Sequence, residues 1–155
     1  DKDPHPVISS YWGFLFKTVV GVERQLQRIY FELYGATPEN RPDIETLFSN
    51  MPEPIDLDLD LKSRTIYWTD RGDNTISRAP MDVAPSERRF DPATRTDRVV
   101  LVKGLKEAIG VALDLPRNRM AYTSLGGEVG VANLDGSRAR MLATGQGTLT
   151  GVAWM

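Results

Sequence analysis

Cysteine is absent from this chain of 155 residues, and histidine occurs only once, at His5. Without cysteine the chain can form neither a disulfide framework nor a thiolate zinc site. A Ser-His-Asp triad would have to use His5, which lies in a proline-flanked terminus, so nucleophilic hydrolysis is not expected. No phosphate-binding loop is apparent either, because the glycine pair at Gly126-Gly127 is not followed by a helical pattern.

Long apolar runs and an excess of one charge are also missing. The 19 Lys and Arg residues nearly balance the 21 Asp and Glu residues, which gives no electrostatic footprint for nucleic acid. No apolar run approaches the roughly 18 residues that cross a bilayer. The most apolar stretch, residues 7–22, is interrupted by Ser9, Ser10 and Lys17 and lacks the basic flank of a signal peptide. We expect a cytoplasmic protein that binds neither nucleic acid nor a membrane.

What the chain does contain is an internal repeat. At a shift of 54 residues, Leu59-Asp60 falls on Leu113-Asp114, and Trp68-Thr69-Asp70 falls on Tyr122-Thr123-Ser124. A repeat of this length indicates stacked supersecondary units. With 41% hydrophobic and 26% charged residues, the composition is that of a soluble globular domain.

The repeated unit has the pattern of four short strands. Residues 55–61 alternate apolar and acidic side chains, and residues 65–69 are β-branched and aromatic, both of which are typical of strands. Four strands in roughly 40–45 residues are typical of a β-propeller blade, and a polar, proline-containing excursion over residues 82–97 accounts for the longer interval of 54 residues. The fold class predicted is therefore all-β, a propeller of four-stranded blades. The predicted strands are 55–61, 65–69, 75–81 and 98–103, then 108–113, 120–123, 129–134 and 139–143.

The N-terminal third permits two interpretations. Tyr11-Trp12 precedes Tyr67-Trp68 by 56 residues, so it could open a degenerate copy of the same second strand. The alternative is a helix from about Tyr11 to Tyr34, which the composition of that stretch favours. On the first interpretation the chain has a tail, three repeats and a last strand that begins a further unit. Their bounds are 1–10, then 11–54, 55–108 and 109–148, then 149–155.

About three blades are too few for a closed propeller, which normally has about four to eight. An open arc would expose unpaired strand edges. We therefore expect two chains to form one six-bladed ring, in which the terminal strand of each chain completes the first blade of its partner. The alternative is that another polypeptide supplies the missing half.

Three segments resemble the class B, or YWTD, repeat of propellers of the low-density-lipoprotein-receptor type. They are Ile66–Asp70, Gly110–Asp114 and Ala132–Gly136, and the resemblance extends well over residues 44–154 and weakly over 11–43. It implies a propeller of four-stranded blades. For the receptor-type members it also implies a non-catalytic module that binds a peptide or protein.

Because cysteine is absent, the chain is more similar to cysteine-free propellers of microbes and fungi. Tyr67–Thr75 and Arg78–Asp82 resemble these nearly residue for residue. Some fungal members act as hetero-Diels–Alderases in tropolonic sesquiterpenoid pathways. This resemblance implies a cofactor-free enzyme of secondary metabolism that takes a small apolar unsaturated metabolite. A peptide- or protein-binding module is the alternative function.

The candidate site residues follow from the propeller geometry. Connections from the second to the third strand and from the fourth to the first strand surround one mouth of the central channel, where a ligand would bind. A cycloaddition catalyst needs walls that orient its substrates and donors for developing charge. The candidate catalytic donors are Lys17, Arg71 and Asn74. The candidate substrate-binding residues are Trp12, Phe14, Phe16, Glu53, Asp70, Lys106, Glu107, Ser124 and Thr150.

Asp56, Asp58 and Asp60 form a ladder of carboxylates on one predicted strand. Oxygen ligands of this kind suit a hard cation. Alternate residues of a strand, however, lie about 7 Å apart, too far to chelate one ion without other ligands. The pattern favours a polar strand face that ends in a turn at Asp60, with no metal site.

Overall fold

The computed structural model describes residues 47–82 and 92–154. The chain divides into two compact units, Asp1–Met51 with Asp91–Thr94, and Pro52–Phe90 with Arg95–Met155. In the first unit the Ser49 N–H donates to the Pro92 carbonyl at 3.1 Å. The N-terminal tail and the choice between a blade and a helix for residues 11–46 lie outside the described residues.

The second unit contains two four-stranded antiparallel sheets, each with its strands in sequence order. The eight strands predicted within residues 55–143 are all present, with each end within one residue of its predicted position, and the all-β fold class is confirmed. The described residues hold no α-helix, and a single turn of 3-10 helix covers Leu115–Arg117. The strands are β1 Pro54–Asp60, β2 Thr65–Asp70, β3 Thr75–Pro80 and β4 Val99–Lys103, then β5 Ala108–Asp114, β6 Arg119–Ser124, β7 Val129–Asn133 and β8 Arg140–Ala143.

The second strand of each sheet is buried at every residue but its first. Trp68 of β2 and Tyr122 of β6 are at most 1% exposed, and they occupy equivalent places in the repeat. The Tyr122 ring lies over Gly130, its direct partner across the β6–β7 ladder. A Cβ on Gly130 would come within 2.2 Å of that ring, so glycine is required where the aromatic side chain crosses. Burial of such aromatic side chains is the main apolar contribution to the core of each blade.

The two blades meet along their first strands through a pair of carboxylates, Asp56 and Asp58. Each carboxylate accepts one N–H from the next residue of β1 and another from β5. The two amides joined in this way are equivalent in the repeat, so each carboxylate connects matching points of successive blades. The bonds run from Leu57 N–H to Asp56 Oδ1 (2.9 Å), Val111 N–H to Asp56 Oδ2 (3.0 Å), Leu59 N–H to Asp58 Oδ1 (2.8 Å) and Leu113 N–H to Asp58 Oδ2 (2.9 Å).

These bonds account for two members of the predicted carboxylate ladder, and the third has a local role. Asp60 accepts from Lys62 N–H at 3.0 Å and from the Ser63 hydroxyl at 2.6 Å, which closes the β1–β2 turn. Burial raises the pKa of Asp56, although its two amide bonds act to lower it. Within the described ranges no three His, Asp or Glu side chains are grouped as a metal site requires.

The face of the second blade that is turned away from the first blade makes different contacts. Gly110 and Ala112 stand at the repeat positions of Asp56 and Asp58, so β5 offers no carboxylates. Residues 144–154 carry no strand, in contrast to the terminal strand predicted at 149–155. The Trp154 Nε1–H instead donates to the Ala112 carbonyl at 3.1 Å, and the Arg119 guanidinium lies 4.3 Å from the centre of the Trp154 ring. Over residues 47–82 and 92–154 there is no helix with the length and apolar character that would take it across a membrane.

Asp58→Asn is expected to destabilise the junction between the blades. The asparagine side chain offers one acceptor where Asp58 offers two, so one strand amide loses its partner. We expect the free energy of unfolding to fall by about 1–2 kcal/mol, the usual cost of an unmade hydrogen bond at a partly buried site. Urea denaturation measures the change. Asp82→Asn, which removes an exposed pair with Arg64, is the control and should change stability little; equal effects of the two variants would contradict the prediction.

Candidate functional site

The connections predicted to surround one mouth of the channel lie at the same end of the strands. Residues 52–53 precede β1, residues 71–74 join β2 to β3, and residues 104–107 join the two blades. Residues 125–128 join β6 to β7, and residues 144–149 follow β8. We call this set the loop rim. Hydrogen bonds connect each of its segments to the next, and the candidate site is built on them.

Glu53 and Arg71 form the charged pair of the first blade. The Arg71 backbone N–H donates to the Glu53 carbonyl at 2.9 Å. The guanidinium makes two parallel bonds to the Glu53 carboxylate, from Nε at 2.9 Å and from a terminal nitrogen. The hydrogen bond and charge of Glu53 raise the pKa of Arg71, with a smaller contribution from Glu107. The Arg71 side chain is 37% exposed and the Glu53 side chain 42% exposed, so a ligand can still reach the pair.

Asp70 sets the shape of the loop that carries Arg71. Its carboxylate is fully buried, and Oδ1 accepts the N–H groups of Glu53 (2.9 Å), Gly72 (2.9 Å) and Asp73 (3.3 Å). Among the described residues Oδ2 has no hydrogen-bond partner. Burial raises the pKa of Asp70, and the charge of Asp73 adds to the shift. Asp70 is therefore placed to position the loop and is not exposed to a ligand.

Asn74 links the first blade to the connection that follows it. Its backbone carbonyl accepts the Leu105 N–H at 3.2 Å, and its side-chain oxygen accepts the Glu107 N–H at 2.9 Å. Asn74 and Glu107 have φ angles of 59° and 62°, a left-handed conformation that non-glycine residues seldom adopt. These bonds hold both residues in that conformation.

The second blade repeats this arrangement with the neutral residue Leu125 in place of Arg71. Leu125 N–H donates to the Glu107 carbonyl at 2.9 Å, and Gly126 N–H donates to the Lys106 carbonyl at 3.0 Å. The Lys106 stem lies over Gly126, where an added Cβ would come within 2.4 Å of it. Lys106 and Glu107 are both exposed. The backbone of this part of the rim is fixed while its charges face solvent.

Glu128 is a residue of the rim that sequence reasoning did not single out. Its buried carboxylate accepts the Ser124 hydroxyl at 2.8 Å and the Lys106 N–H at 2.9 Å through the same oxygen. It thereby holds the interblade connection against the second blade. The one sequence signal was its place at the end of a predicted turn, four residues after Ser124. Beyond it, the Gln146 N–H donates to the Gly127 carbonyl at 3.1 Å.

Arg98 is a second residue that was missed. It stands just before β4, and its guanidinium donates to Ser77 Oγ (3.0 Å), Thr75 Oγ1 (2.9 Å) and Asp73 Oδ2 (2.5 Å). It also lies 5.7 Å from the centre of the Trp68 ring. Its partners are more than 20 residues away along the chain, so no local pattern could have indicated them. The bond from Arg98 to Asp73 holds the loop of residues 71–74, which also carries Arg71.

The structure brings seven of the predicted site residues together, five of them on the loop rim and two beneath it. Arg71 and Glu53 are paired, Asn74 binds the Glu107 backbone, and Lys106 and Glu107 stand exposed on the rim. Asp70 and Ser124 are buried beneath it. Thr150 lies exposed in the terminal segment, and none of the rim hydrogen bonds of the described residues involves it. Lys17, Trp12, Phe14 and Phe16 lie outside the described residues.

Stacked four-stranded antiparallel sheets that join at their first strands are those of a β-propeller. Comparison with known proteins agrees with this fold. A solved nidogen/laminin complex contains a chain that matches with a TM-score of 0.55 and 24% identity, over 69% of this chain and 38% of that one. At this identity the match shows the fold alone. No family model matches the chain.

Curated relatives match at the level of sequence. The chain is 31% identical to a low-density lipoprotein receptor-related protein 1 of Pyricularia oryzae, over 91% of this chain and 47% of that protein. It is 32% identical to the 3-hydroxyacyl-CoA dehydrogenase-like protein LAM1 of Cochliobolus heterostrophus, over 77% and 26%. It is 33% identical to mouse nidogen-2, over 57% and 6%. Together with the fold, these relatives support a YWTD-type β-propeller.

The chain spans about half the length of the first of these relatives and less of the other two. The activity of a whole relative therefore does not carry over to it. The names of these three proteins do not bear on the cycloaddition that the fungal resemblance implies, and that activity stays a prediction.

Asp70→Asn is expected to change how stability depends on pH. Burial raises the folded-state pKa of Asp70, so the stability that it contributes is complete below the unfolded pKa and is lost as pH rises through the folded pKa. Asparagine can keep the three amide bonds to Oδ1 without a charge. The free energy of unfolding of the variant, relative to the original chain, should therefore increase as the pH rises from the ordinary carboxyl range towards neutrality. Denaturant titrations across this range measure the difference, and a difference that is constant with pH would contradict the assignment.

Proposed function

We propose that the chain is a binding module that grips a peptide or protein through its loop rim. The observation that carries the proposal is the contrast between a fixed backbone and exposed charges. Arg71, Glu53, Lys106 and Glu107 all reach solvent from loops that hydrogen bonds tie to one another. A surface that is already ordered loses little conformational entropy when a partner binds.

The chemical character of the rim suits a macromolecular partner. Protein interfaces combine charged and polar groups at their margins with water-bridged contacts, and they commonly form without backbone movement. Positive and negative side chains alternate along the rim, which favours a partner with complementary charges and sets its orientation. The aromatic walls predicted for a cycloaddition site, Trp12, Phe14 and Phe16, lie outside the described residues.

The relatives support the same function. The structural neighbour is a chain of a nidogen/laminin complex, and another relative is named as a receptor-related protein. Binding of a protein through a propeller of this type is thus the activity that these names suggest. For this chain it is a proposal, because the match covers only part of each relative.

The cofactor-free cycloaddition enzyme is the second candidate, carried by the resemblance of Tyr67–Thr75 and Arg78–Asp82 to fungal propellers. The Arg71 guanidinium is engaged with Glu53 and would have to exchange that bond for one to substrate. The Asn74 side chain accepts the Glu107 amide through Oδ1, a bond that fixes its orientation without using its Nδ2 donor. Cycloaddition of a small unsaturated metabolite that Arg71→Leu abolishes would favour this candidate over the binding module.

A charge reversal on the rim tests the binding module. Peptides selected from a random display library against the chain should bind Lys106→Glu about tenfold more weakly, since the change removes one rim contact of roughly 1.4 kcal/mol. Lys62→Glu is the matched control, because it reverses the same charge in the exposed β1–β2 turn at the other end of the strands. Isothermal calorimetry measures both affinities. Failure to select peptides, or equal loss in both variants, would overturn the proposal.

We also propose that two chains assemble into one six-bladed ring. The described residues supply two of the three blades expected per chain, so two chains would supply six, within the range of about four to eight blades of closed propellers. Sedimentation equilibrium should then give twice the chain mass of 17.3 kDa. A single species of one chain mass across the concentration range would contradict the two-chain ring and leave the binding proposal untouched.

A further inference from the structure

We infer that the Glu107 carboxylate binds an arginine side chain of the ligand, as the Glu53 carboxylate binds Arg71 within the chain. The inference rests on the proposed binding function and specifies the chemistry of the partner. The two blades contain the same loop, but the loop of the first blade carries the cation Arg71 and the loop of the second blade carries Leu125 at that position.

The two loops correspond residue by residue at the 54-residue shift. Glu53 corresponds to Glu107, Arg71 to Leu125, and Gly72 to Gly126. The backbone bond from Arg71 N–H to the Glu53 carbonyl, 2.9 Å, has its counterpart from Leu125 N–H to the Glu107 carbonyl, also 2.9 Å. The strands below pair in matching register, Pro54 with Asp70 and Ala108 with Ser124. The backbone of the two loops is therefore held in the same way, and the second blade lacks only the guanidinium of Arg71.

This substitution leaves the Glu107 carboxylate available. Glu107 is exposed, and within the described part of the chain its carboxylate makes no hydrogen bond or ion pair. Arg71 lies within electrostatic range of it, but the side-chain hydrogen bonds of Arg71 go to Glu53. Leu125 beside it is half-buried. A ligand side chain at this point would meet a carboxylate next to an aliphatic surface.

Arginine fits this pair of groups better than lysine does. Its planar fork can make the two parallel bonds to a carboxylate that Arg71 makes to Glu53, and its apolar stem can lie along Leu125. Lys106 occupies the repeat position of Pro52, and its stem lies over Gly126 as Pro52 lies over Gly72. The added ammonium favours an acidic residue beside the ligand arginine. The ligand expected is thus a segment in which an arginine neighbours an acidic side chain.

A variant that supplies the missing cation provides the test. Leu125→Arg should pair with Glu107 inside the chain and compete with the ligand, so that peptides selected from a random display library bind it about tenfold more weakly. Leu125→Met keeps an apolar side chain of similar size and is the matched control, for which affinity should be unchanged. Glu107→Gln alters only an exposed group and should reproduce the loss without any change in folding.

The dependence on arginine is measured separately. Replacement of the arginine of a selected peptide by citrulline, which keeps the shape and removes the charge, should weaken binding to the original chain about tenfold and to Glu107→Gln hardly at all, as a double-mutant cycle requires for a direct contact. Selected peptides without arginine, or full affinity for Leu125→Arg, would overturn the inference while the binding module stands. If Lys106→Glu also had no effect, the proposed function itself would fall.

Discussion

The junction of the two blades depends on one constraint, the need to satisfy strand edges that meet without forming a continuous sheet. β1 and β5 present free amides to each other, and buried amides without partners are costly. Asp56 and Asp58 meet the requirement by accepting one amide from each strand. Because each carboxylate joins equivalent points of the repeat, it also fixes the angle and offset at which one blade follows the other. The loop rim inherits its geometry from this junction.

The rim combines buried acids that shape loops with exposed charges that can meet a partner. Asp70 and Glu128 lie beneath the surface and bind backbone amides, while Lys106 and Glu107 stand above it. This division explains why polar residues at similar places in the sequence have different roles. A carboxylate at the end of a buried strand organises the turn, and one placed in the connection between blades stays accessible. Recognition by the rim would therefore rest on a few side chains whose support is internal to the fold.

The strands were predictable because they depend on local patterns. Alternation in residues 55–61 and the turn residues at 71–74 fixed their ends within one residue. The candidate rim residues were also predictable as a group, since strand order places their loops at one end. Their pairing was not predictable, because Arg71 pairs with Glu53 although Asp70 and Asp73 are closer to it along the chain, and because the partners of Arg98 and the Lys106 amide that Glu128 binds are also distant in sequence. The carboxylate ladder shows the same limit: spacing argued against a metal, but the amides of β5 could not be foreseen as partners of Asp56.

The replacement of Asp56 and Asp58 by Gly110 and Ala112 in the next repeat makes the two junctions of the second blade unequal. Toward the first blade, four amides are tied by two carboxylates. Toward the terminal segment, an indole bond and a cation–π contact take their place, and the Thr123 hydroxyl is buried without a partner among the described residues. Local opening follows the weakest cooperative boundary. Amides of the terminal segment should thus exchange with solvent deuterium well before those of β5, so that the chain loosens from one end in a fixed order.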